Sequence, residues 1–313
     1  MAGAVGSRGC SKIRGSQLRE LLDAKHNVLF DCDGVIWNGE TVVTGAPEVV
    51  TLLKQQGKKV FFVTNNCTRP RANYVTKFAR LGFTDVDEED IFSSAYCSAA
   101  YLRDVAKVQG KVYVIGCQGV VKELQEAGVP IVEESEDAQT GTIYDYPLDQ
   151  DVKAVLVGYD EKFNFIKLAK ATCYLQNPNC LFVATDPDPW HPLRGGRITP
   201  GSGSLTAAVE TASSRTAMVI GKPSRFMFEC MASQFGLDPA QSIMVGDRLE
   251  TDILFGAKCG LDTMLTLTGV STMEEAQSYK DSDDPEKMHF VPDYVVETIA
   301  DFVQAYEEEG KEG

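Results

Sequence analysis

The chain has 313 residues, which corresponds to about two domains at ~150 residues per domain. Hydrophobic residues make up 43% and charged residues 24%, and no apolar run approaches the ~20 residues of a membrane span, so a soluble globular protein without membrane insertion is expected. The formal net charge of −15 argues against nucleic-acid binding, which needs a basic surface to neutralise phosphates.

Short runs of β-branched and aromatic residues alternate with segments of helical periodicity, the pattern of a parallel α/β fold. Residues 1–17 carry positive charge with no apolar core behind it, so a frayed terminus is expected rather than a secretory signal. Helices are predicted over Ala46–Gln56 and Asn73–Leu81, each followed by a glycine that can cap it. The predicted strands are Val28–Phe30, Val60–Val63, Val112–Ile115, Ala154–Val157, Leu181–Ala184, Met218–Ile220, Ile243–Val245 and Thr263–Leu267.

Three segments between these strands have a different character. Glu133–Gly141 is acidic and typical of a loop. The stretch Gly201–Ser204 lacks the spacing of a dinucleotide-binding loop, so it is interpreted as a hinge or as the start of the helix predicted over Leu205–Ala212. A further helix is predicted over Phe226–Phe235.

The strongest motif is Asp31-Cys32-Asp33-Gly34, directly after the strand that ends at Phe30. Ligands of an open parallel sheet bind beyond the carboxyl ends of its strands, so a substrate can reach both carboxylates there. Gly34 permits a sharp turn, and two carboxylates so close together require a cation between them and the substrate. An ordinary turn can also have this sequence, so the motif alone does not decide the function.

Two further strand ends carry groups suited to phosphate. Thr64, Asn65 and Asn66 follow one strand, where a hydroxyl and backbone N–H groups form a cradle for phosphate oxygens. Lys222 follows another strand and supplies a point charge beside the positive N-terminal end of the helix Phe226–Phe235. A simple turn and a solvated lysine are alternative interpretations of these two segments.

The fourth motif contains Asp247 and Asp252 and follows the strand Ile243–Val245. Aspartate oxygens are hard ligands that suit Mg²⁺, an ion that keeps several waters and seldom takes an all-protein cage. Four strands that all end in phosphate or metal chemistry are improbable by chance. The combination therefore predicts one phosphate site built around Mg²⁺.

The order of these motifs indicates an inserted domain. Asp31 and Asp33 lie near the start and Lys222 and Asp247 lie late, with about 100 residues of separate strand–helix pattern between them. A contiguous first domain would leave these groups apart. An insertion instead lets the outer segments fold together into one site.

Other catalytic signatures are absent from the sequence, including the P-loop and the G-x-S-x-G elbow. The three histidines, His26, His191 and His289, are too few for a zinc site. The nine cysteines show no C-x-x-C spacing, and such an odd, dispersed set predicts reduced thiols and a cytoplasmic protein. Cys32 is interpreted as a packing residue.

In this order, the four motifs resemble the haloacid dehalogenase superfamily of phosphatases, over nearly the whole chain. The segments FDCDGVIWNGE, FFVTNN, VGYDEKFNF, DPDPWHPL, AAVETAS, GKPSRFMFEC, MVGDRLETDILFG and LTLTGVS look like those of vertebrate pyridoxal phosphate phosphatases, close to mammalian phosphoglycolate phosphatases. Asp186–Leu193 (DPDPWHPL) favours the former. The resemblance implies an α/β fold with a Rossmann-like parallel-sheet core at 17–105 and 216–313 and a large inserted α/β cap, the substrate-specificity domain, at 106–215.

The resemblance also implies roles for single residues. Asp31 is expected to attack phosphorus, and Asp33 to protonate the leaving oxygen and later to deprotonate the attacking water. Mg²⁺ is expected to be held by Asp31, the Asp33 carbonyl and Asp247, with Asp252 orienting this shell. The implied substrate-binding residues are Thr64, Asn65, Asn66 and Lys222 for the phosphoryl group and His191 for the pyridoxal ring.

The predicted substrate is accordingly pyridoxal 5′-phosphate, with other vitamin B6 phosphates, and the predicted assembly is a homodimer. Phosphoglycolate and phosphoproteins stay open as alternative substrates. A different class of function is a non-catalytic signalling module that is phosphorylated on Asp31. Asp33 and the inserted segment argue against this alternative, because a stable phosphoaspartate needs neither a second acid nor a lid.

Overall fold

The computed structural model describes residues 9–133 and 146–307, which form two compact units. The first unit runs up to Thr64 and includes 74–92 and the chain from Lys222 onward, and the second comprises 65–73 and 93–221. The assignment of 17–105 and 216–313 to a catalytic core and of 106–215 to a cap stays a prediction. All but the first residue of the predicted acidic loop Glu133–Gly141 lies outside the described residues.

The predicted strands are all present in the structure, with ends that differ from the prediction by at most two residues. The additional strands are short, and most lack the alternating or continuous apolar pattern on which the prediction relied. In chain order the strands are β1 (Ser11–Lys12), β2 (Asn27–Phe30), β3 (Trp37–Asn38), β4 (Thr41–Val42), β5 (Lys59–Thr64), β6 (Ile91–Ser93), β7 (Lys111–Ile115), β8 (Val152–Val157), β9 (Leu181–Ala184), β10 (Trp190–Pro192), β11 (Ile198–Pro200), β12 (Met218–Val219), β13 (Ser242–Gly246), β14 (Asp262–Thr266) and β15 (Tyr294–Val296).

The predicted helices are confirmed as well. The Gly/Ser stretch Gly201–Ser204 is a helix start, since the following helix begins at Ser202. In chain order the helices are α1 (Gly15–Asp23), α2 (Ala46–Gln55), α3 (Arg71–Arg80), α4 (Ser94–Ala100), α5 (Gln118–Glu126), α6 (Phe165–Leu175), α7 (Ser202–Ser213), α8 (Phe226–Phe235), α9 (Leu254–Cys259), α10 (Met273–Lys280) and α11 (Asp301–Glu307). Within 9–133 and 146–307, none of the helices has both the length and the apolar character of a membrane span.

The first unit is built on a seven-stranded sheet in the order β1-β15-β14-β13-β2-β5-β6. Strand β2 lies between β13 and β5 and is parallel to both, with Phe30 paired to Val245 on one side and to Phe62 on the other. Since these strands are parallel and in register, their carboxyl ends lie along one edge of the sheet. The segments that follow Phe30, Thr64 and Gly246 therefore begin at that edge of the sheet.

Residues 9–17 correct the prediction of a frayed terminus at 1–17, of which residues 1–8 lie outside the described residues. Strand β1 pairs with β15, and helix α1 starts at Gly15. Ile13 is buried in the core, and Leu18 on α1 is fully buried as well. Ile13 and Leu18, which flank the polar residues 14–17, therefore anchor this segment in the hydrophobic core.

The second unit has its own sheet, in the order β12-β9-β8-β7 with parallel pairing throughout. Its core is formed by β-branched and aromatic residues of these strands, among them Tyr113, Val155 and Phe182. An antiparallel hairpin, β10 with β11, follows β9 and pairs His191 with Thr199. The fold is α/β in both units, as predicted from the alternating pattern.

Candidate active site

Asp31 is the first residue after β2, and its backbone N–H donates to the carbonyl of Val245 on the neighbouring strand at 2.9 Å. Just beyond it, the carbonyl of Cys32 accepts the N–H groups of Ile36 at 2.9 Å and Trp37 at 3.1 Å, so the chain coils tightly past the strand end. Cys32 itself is fully buried in the core. Burial, with the charge of Asp31, raises the pKa of its thiol well above the ordinary value, which supports the prediction of a packing residue.

Lys222 is buried between two carboxylates. Its Nζ lies 2.6 Å from Asp31 Oδ1 and 2.6 Å from Asp252 Oδ1, and it donates to the carbonyl of Val63 at 2.7 Å. Burial opposes its charge, but Asp252 and Asp31 outweigh that effect and raise the pKa of Lys222. It is therefore a fixed cation at the sheet edge and not a solvated surface lysine.

The two later aspartates are held by backbone N–H groups. Asp252 Oδ2 accepts from Asp247 N at 3.2 Å and from Arg248 N at 3.1 Å, and this ties Asp252 to the end of β13. Asp247 Oδ2 accepts from Val270 N at 2.8 Å, in the loop after β14. These bonds leave each carboxylate with a defined orientation before any ligand binds.

The carboxylates of Asp31, Asp247 and Asp252 are all buried, and each offers an oxygen within 4.8 Å of the others. Burial raises the pKa of Asp31 well above its usual range; Lys222 opposes this rise, while Asp252 and Asp247 add to it. Burial, together with the charge of Asp252, raises the pKa of Asp247 to about 7. Three close carboxylates of hard oxygen character around one ammonium group are a donor set that fits a divalent cation such as Mg²⁺.

Gly34 is needed where the coil passes Asp247. Its φ is +99°, a region that L side chains rarely adopt, and a Cβ placed there would lie 2.4 Å from Asp247 Oδ2. Its carbonyl accepts a hydrogen bond from Thr268 Oγ1 at 2.6 Å. A glycine at this position therefore lets the first motif and the fourth approach each other.

Asp33 is half-buried and has a partner that the sequence reasoning missed. The indole Nε1 of Trp37 donates to Asp33 Oδ1 at 2.9 Å, and Lys77 Nζ lies 3.8 Å from the centre of the Trp37 ring. The indole is fully buried, so the Asp33 carboxylate is held by a rigid group. The signal in the sequence was the tryptophan four residues after Asp33, in the coil that Gly34 initiates.

The loop after β14 was also missed. Thr268 and Val270 contact the first and fourth motifs, as described above, and Ser271 N donates to the Asp247 carbonyl at 2.9 Å. A strand had been predicted over Thr263–Leu267, and the Thr-Gly pair that follows it resembles the other strand ends. The sequence signal for this loop was therefore a fifth predicted strand that is followed by residues typical of a polar turn.

The predicted phosphate cradle is divided between the units. Thr64 is the buried last residue of β5 in the first unit, whereas Asn65 and Asn66 begin the second unit. There, Asn65 Nδ2 donates to Asp188 Oδ1 at 3.5 Å. Asn66 Oδ1 accepts from the backbone N of Thr68 at 3.0 Å and from its Oγ1 at 2.6 Å.

His191 lies in the second unit on strand β10, half-buried, with its ring centre 5.9 Å from that of Tyr159 in an edge-on arrangement. It forms a second group with Asp186 and Asp188, whose ligand atoms also lie within 4.8 Å of one another. Asp186 accepts from Thr185 Oγ1 at 2.8 Å and from Asp188 N at 3.2 Å. Burial, with the charge of Asp188, raises the pKa of Asp186 to about 8.

Two family models match the chain, one on each side of residues 131–218. Residues 28–130 match the model of the haloacid dehalogenase-like hydrolases, and residues 219–302 match a second, HAD-hydrolase-like model. Chronophin of Rattus norvegicus is 51% identical, over 94% of this chain and 92% of its own length. Glycerol-3-phosphate phosphatase of Gallus gallus is 46% identical, over 97% of this chain and 99% of its own length.

A solved structure agrees with these matches. The glycerol phosphate phosphatase of Mycobacterium tuberculosis, in complex with magnesium, has a TM-score of 0.74 and 26% identity, over 93% of this chain and 79% of its own. The likeness therefore covers the fold as well as the motifs.

Proposed function

We propose that this phosphatase, which belongs to the haloacid dehalogenase-like hydrolases, hydrolyses pyridoxal 5′-phosphate through a phosphoaspartate on Asp31, with Mg²⁺ as its cofactor. The observation that carries the chemistry is the buried group at the sheet edge, in which Lys222 Nζ lies 2.6 Å from both Asp31 Oδ1 and Asp252 Oδ1. This group contains the proposed nucleophile, a buried cation and carboxylates that we propose as metal ligands.

In the proposed first step, an oxygen of Asp31 forms a bond to phosphorus while the bond from phosphorus to the ester oxygen breaks. Asp33 gives its proton to that leaving oxygen. In the second step Asp33 takes a proton from water, whose oxygen bonds to phosphorus as the bond to Asp31 breaks. This division of one displacement into two is covalent catalysis, and it returns Asp33 to its protonated state and Asp31 to its free carboxylate.

The residues proposed to hold Mg²⁺ are Asp31, the Asp33 backbone carbonyl and Asp247, with Asp252 orienting this shell. The support is the donor set, because the carboxylates of Asp31, Asp247 and Asp252 converge within 4.8 Å. When bound, the ion supplies charge that stabilises the transferring phosphoryl oxygens. Asp252 is already hydrogen-bonded to the backbone of Asp247 at 3.2 Å, which suits an orienting role.

The phosphoryl group is proposed to bind Lys222, Thr64, Asn65 and Asn66. Phosphoryl transfer depends on positioning and on cancelling charge on the phosphoryl oxygens more than on covalent chemistry by the protein. Lys222 suits this task because two carboxylates keep it charged and fixed. Thr64 ends β5 directly beside the strand that ends at Phe30.

The substrate assignment rests on Asp186–Leu193. Trp190 is partly exposed and His191 is half-buried on one short strand, which offers an aromatic face and a ring nitrogen. Consecutive side chains of a strand point to opposite faces, so the proposed ring contact is assigned to His191, whose imidazole suits a hydrogen bond to the polar edge of the pyridoxal ring. Phosphoglycolate has a small carboxylate, for which a fixed cation would be the better partner. A homodimer and a cytoplasmic location, both predicted above, are part of this proposal.

The test of the substrate is phosphate release from pyridoxal 5′-phosphate, 2-phosphoglycolate, glycerol 3-phosphate and a phosphoserine peptide, each at several concentrations. We expect the highest kcat/KM for pyridoxal 5′-phosphate. A higher value for another member of the set would replace the substrate and leave the phosphatase assignment intact. An aryl phosphate serves as the control that the preparation is active.

The metal is tested separately. Activity should disappear in chelator and return when Mg²⁺ is restored, whereas Ca²⁺ should restore little, since its larger and looser coordination misplaces the carboxylates. The measurement is aryl-phosphate hydrolysis after dialysis, with each ion added back in turn. Full activity after exhaustive chelation would contradict the metal assignment.

A further inference from the structure

Two thiols of the second unit lie in contact although 50 residues separate them in the chain. The thiols of Cys67 and Cys117 hydrogen-bond each other, and Cys117 Sγ also lies 3.2 Å from the carbonyl oxygen of Cys67. Cys67 is buried, while Cys117 is partly exposed to solvent. Neither residue has a role in the proposed phosphatase chemistry.

Helix α5 fixes the position of Cys117, which is its N-cap. A Cβ on Gly119 would lie 2.4 Å from the Cys67 carbonyl oxygen, so the glycine allows the start of the helix to approach the backbone at Cys67 closely. On the other side, Tyr159 N donates to Cys67 Sγ at 3.4 Å. The two sulfurs are thus held together by backbone on three segments of one unit.

The surroundings make the two thiols chemically unequal. The hydrogen bond from Cys67, opposed by burial and supported by backbone N–H groups at the start of α5, lowers the pKa of Cys117 to about 7. The same hydrogen bond, with burial and the charge of Asp186, raises the pKa of Cys67 well above its ordinary value. Tyr159 is a further titratable neighbour, and burial raises its pKa.

We propose that Cys117 and Cys67 form a reversible oxidation site, in which a peroxide oxidises Cys117 and Cys67 resolves the product to a disulfide. The partly exposed, hydrogen-bonded thiol is the one that an oxidant can reach. The buried thiol in contact with it is placed to react next. This arrangement of an accessible sulfur beside a resolving one is typical of redox-sensing cysteines.

The reaction balances with hydrogen peroxide as the oxidant. The Cys117 thiolate attacks one peroxide oxygen, so an S–O bond forms, the O–O bond breaks and hydroxide leaves to become water. Cys67 then attacks the sulfenic sulfur, so an S–S bond forms, the S–O bond breaks and a second water leaves with the Cys67 proton. Two thiols lose two electrons and the peroxide gains them.

Tryptic digestion can show whether the disulfide joins Cys67 to Cys117. The expected peptides Val60–Arg71 and Val112–Lys122 each contain a single cysteine, Cys67 and Cys117 respectively. After treatment of the full chain with hydrogen peroxide and alkylation of the remaining thiols, we expect mass spectrometry to find these two peptides linked. Dithiothreitol should separate them again. Oxidation of Cys117 to sulfinic acid in the wild type without the linked pair would overturn the proposal.

Variants separate the two steps. In the Cys67→Ala variant, oxidation of Cys117 should stop at the sulfenic acid, which a cyclic β-diketone probe traps. In the Cys117→Ser variant, the same probe should not label Cys67. Cys230→Ser removes another partly exposed cysteine and should leave the linked pair unchanged. Trapping in the wild type equal to that in Cys67→Ala would show that Cys67 does not resolve the product.

The ionisation of Cys117 gives an independent measurement. Alkylation of the Val112–Lys122 peptide should be half-maximal at pH about 7, and the midpoint should rise in Cys67→Ala. At pH 7 we expect a rate roughly threefold above that of an ordinary thiol, because the larger thiolate fraction is partly offset by lower nucleophilicity. A wild-type midpoint at the ordinary value would contradict the proposed asymmetry.

Discussion

Both units contain a group of acidic residues just beyond a parallel strand, and the two groups are built differently. In the first unit, Asp31, Asp247 and Asp252 come from two strand ends far apart in the chain, and Lys222 comes from a third segment. In the second unit, Asp186, Asp188 and His191 come from six consecutive residues that follow β9 and end on β10. In the first group a buried ammonium binds Asp31 and Asp252. In the second group Asp186 accepts from Thr185 and a backbone N–H, and Asp188 accepts from Asn65.

This difference indicates which of the two acidic clusters is suited to catalysis. Burial raises the pKa of Asp31, Lys222 opposes that rise, and a buried cation at a strand end is what phosphoryl transfer requires. A carboxylate that accepts bonds from its own loop mainly gives that loop its shape, and burial raises the pKa of Asp186 to about 8. The first cluster is therefore our proposed catalytic centre, and the second lies in the loop that we propose to select the substrate.

The largest expected effect separates the clusters directly. Asp31→Asn should reduce aryl-phosphate turnover by at least about a thousandfold, or ~4 kcal/mol of activation free energy, because an amide cannot accept the phosphoryl group. Asp186→Asn, which resembles the protonated acid already favoured there, should retain turnover within about tenfold. Steady-state kinetics on both purified proteins measures the loss of turnover, and circular dichroism checks that both are folded. Substantial multiple turnover by Asp31→Asn would end the covalent mechanism.

Asp33→Asn should show a dependence on the leaving group. Loss of general acid catalysis should cost about 10²–10⁴-fold with an alkyl phosphate, whose leaving oxygen needs a proton. An activated aryl phosphate should keep its initial burst, although later turnover falls because the water attack still needs a base. Rapid-quench kinetics with both substrates measures this. If the burst is lost equally for both, Asp33 is not the acid.

Lys222→Met should destabilise the first unit, because it leaves Asp31 and Asp252 buried without their cation. Removal of one partner from a buried ion pair typically costs about 3–5 kcal/mol in the free energy of unfolding. Urea unfolding in chelator, followed by tryptophan fluorescence, measures the loss, and the exposed Lys258→Met serves as the matched control. Equal stability of the two variants would show that the Lys222 ion pairs contribute nothing.

His191→Ala tests the second cluster and should have the smallest effect. Loss of one ring contact should weaken binding by ~1–3 kcal/mol, seen as a higher KM for pyridoxal 5′-phosphate. Aryl-phosphate hydrolysis should change little, since the first cluster is untouched. His289→Ala, at an exposed position, is the matched control. Unchanged pyridoxal phosphate kinetics in His191→Ala would remove His191 from substrate recognition.

Much of this protein could be predicted from the sequence, because apolar runs and turn residues are local signals. The central strands of both sheets and the helices α2, α3, α7 and α8 followed from periodicity and from glycine caps. The four motifs were visible because each begins where an apolar run stops. The short edge strand β1 was missed because two polar residues carry no such signal.

The partners of the site residues were decided only by the tertiary structure. Lys222 Nζ meets Asp31 Oδ1 across 191 positions, and Cys67 meets Cys117 across 50, distances over which sequence patterns specify no contact. The first meeting depends on the return of the chain to the first unit at Lys222, after β12 of the second unit's sheet, and the second depends on the close approach at Gly119. Residue type and spacing thus determine which groups are available. Strand pairing and side-chain packing then decide which of these groups form ion pairs, hydrogen bonds or a redox pair. Both are non-local, so the sequence pattern does not specify them.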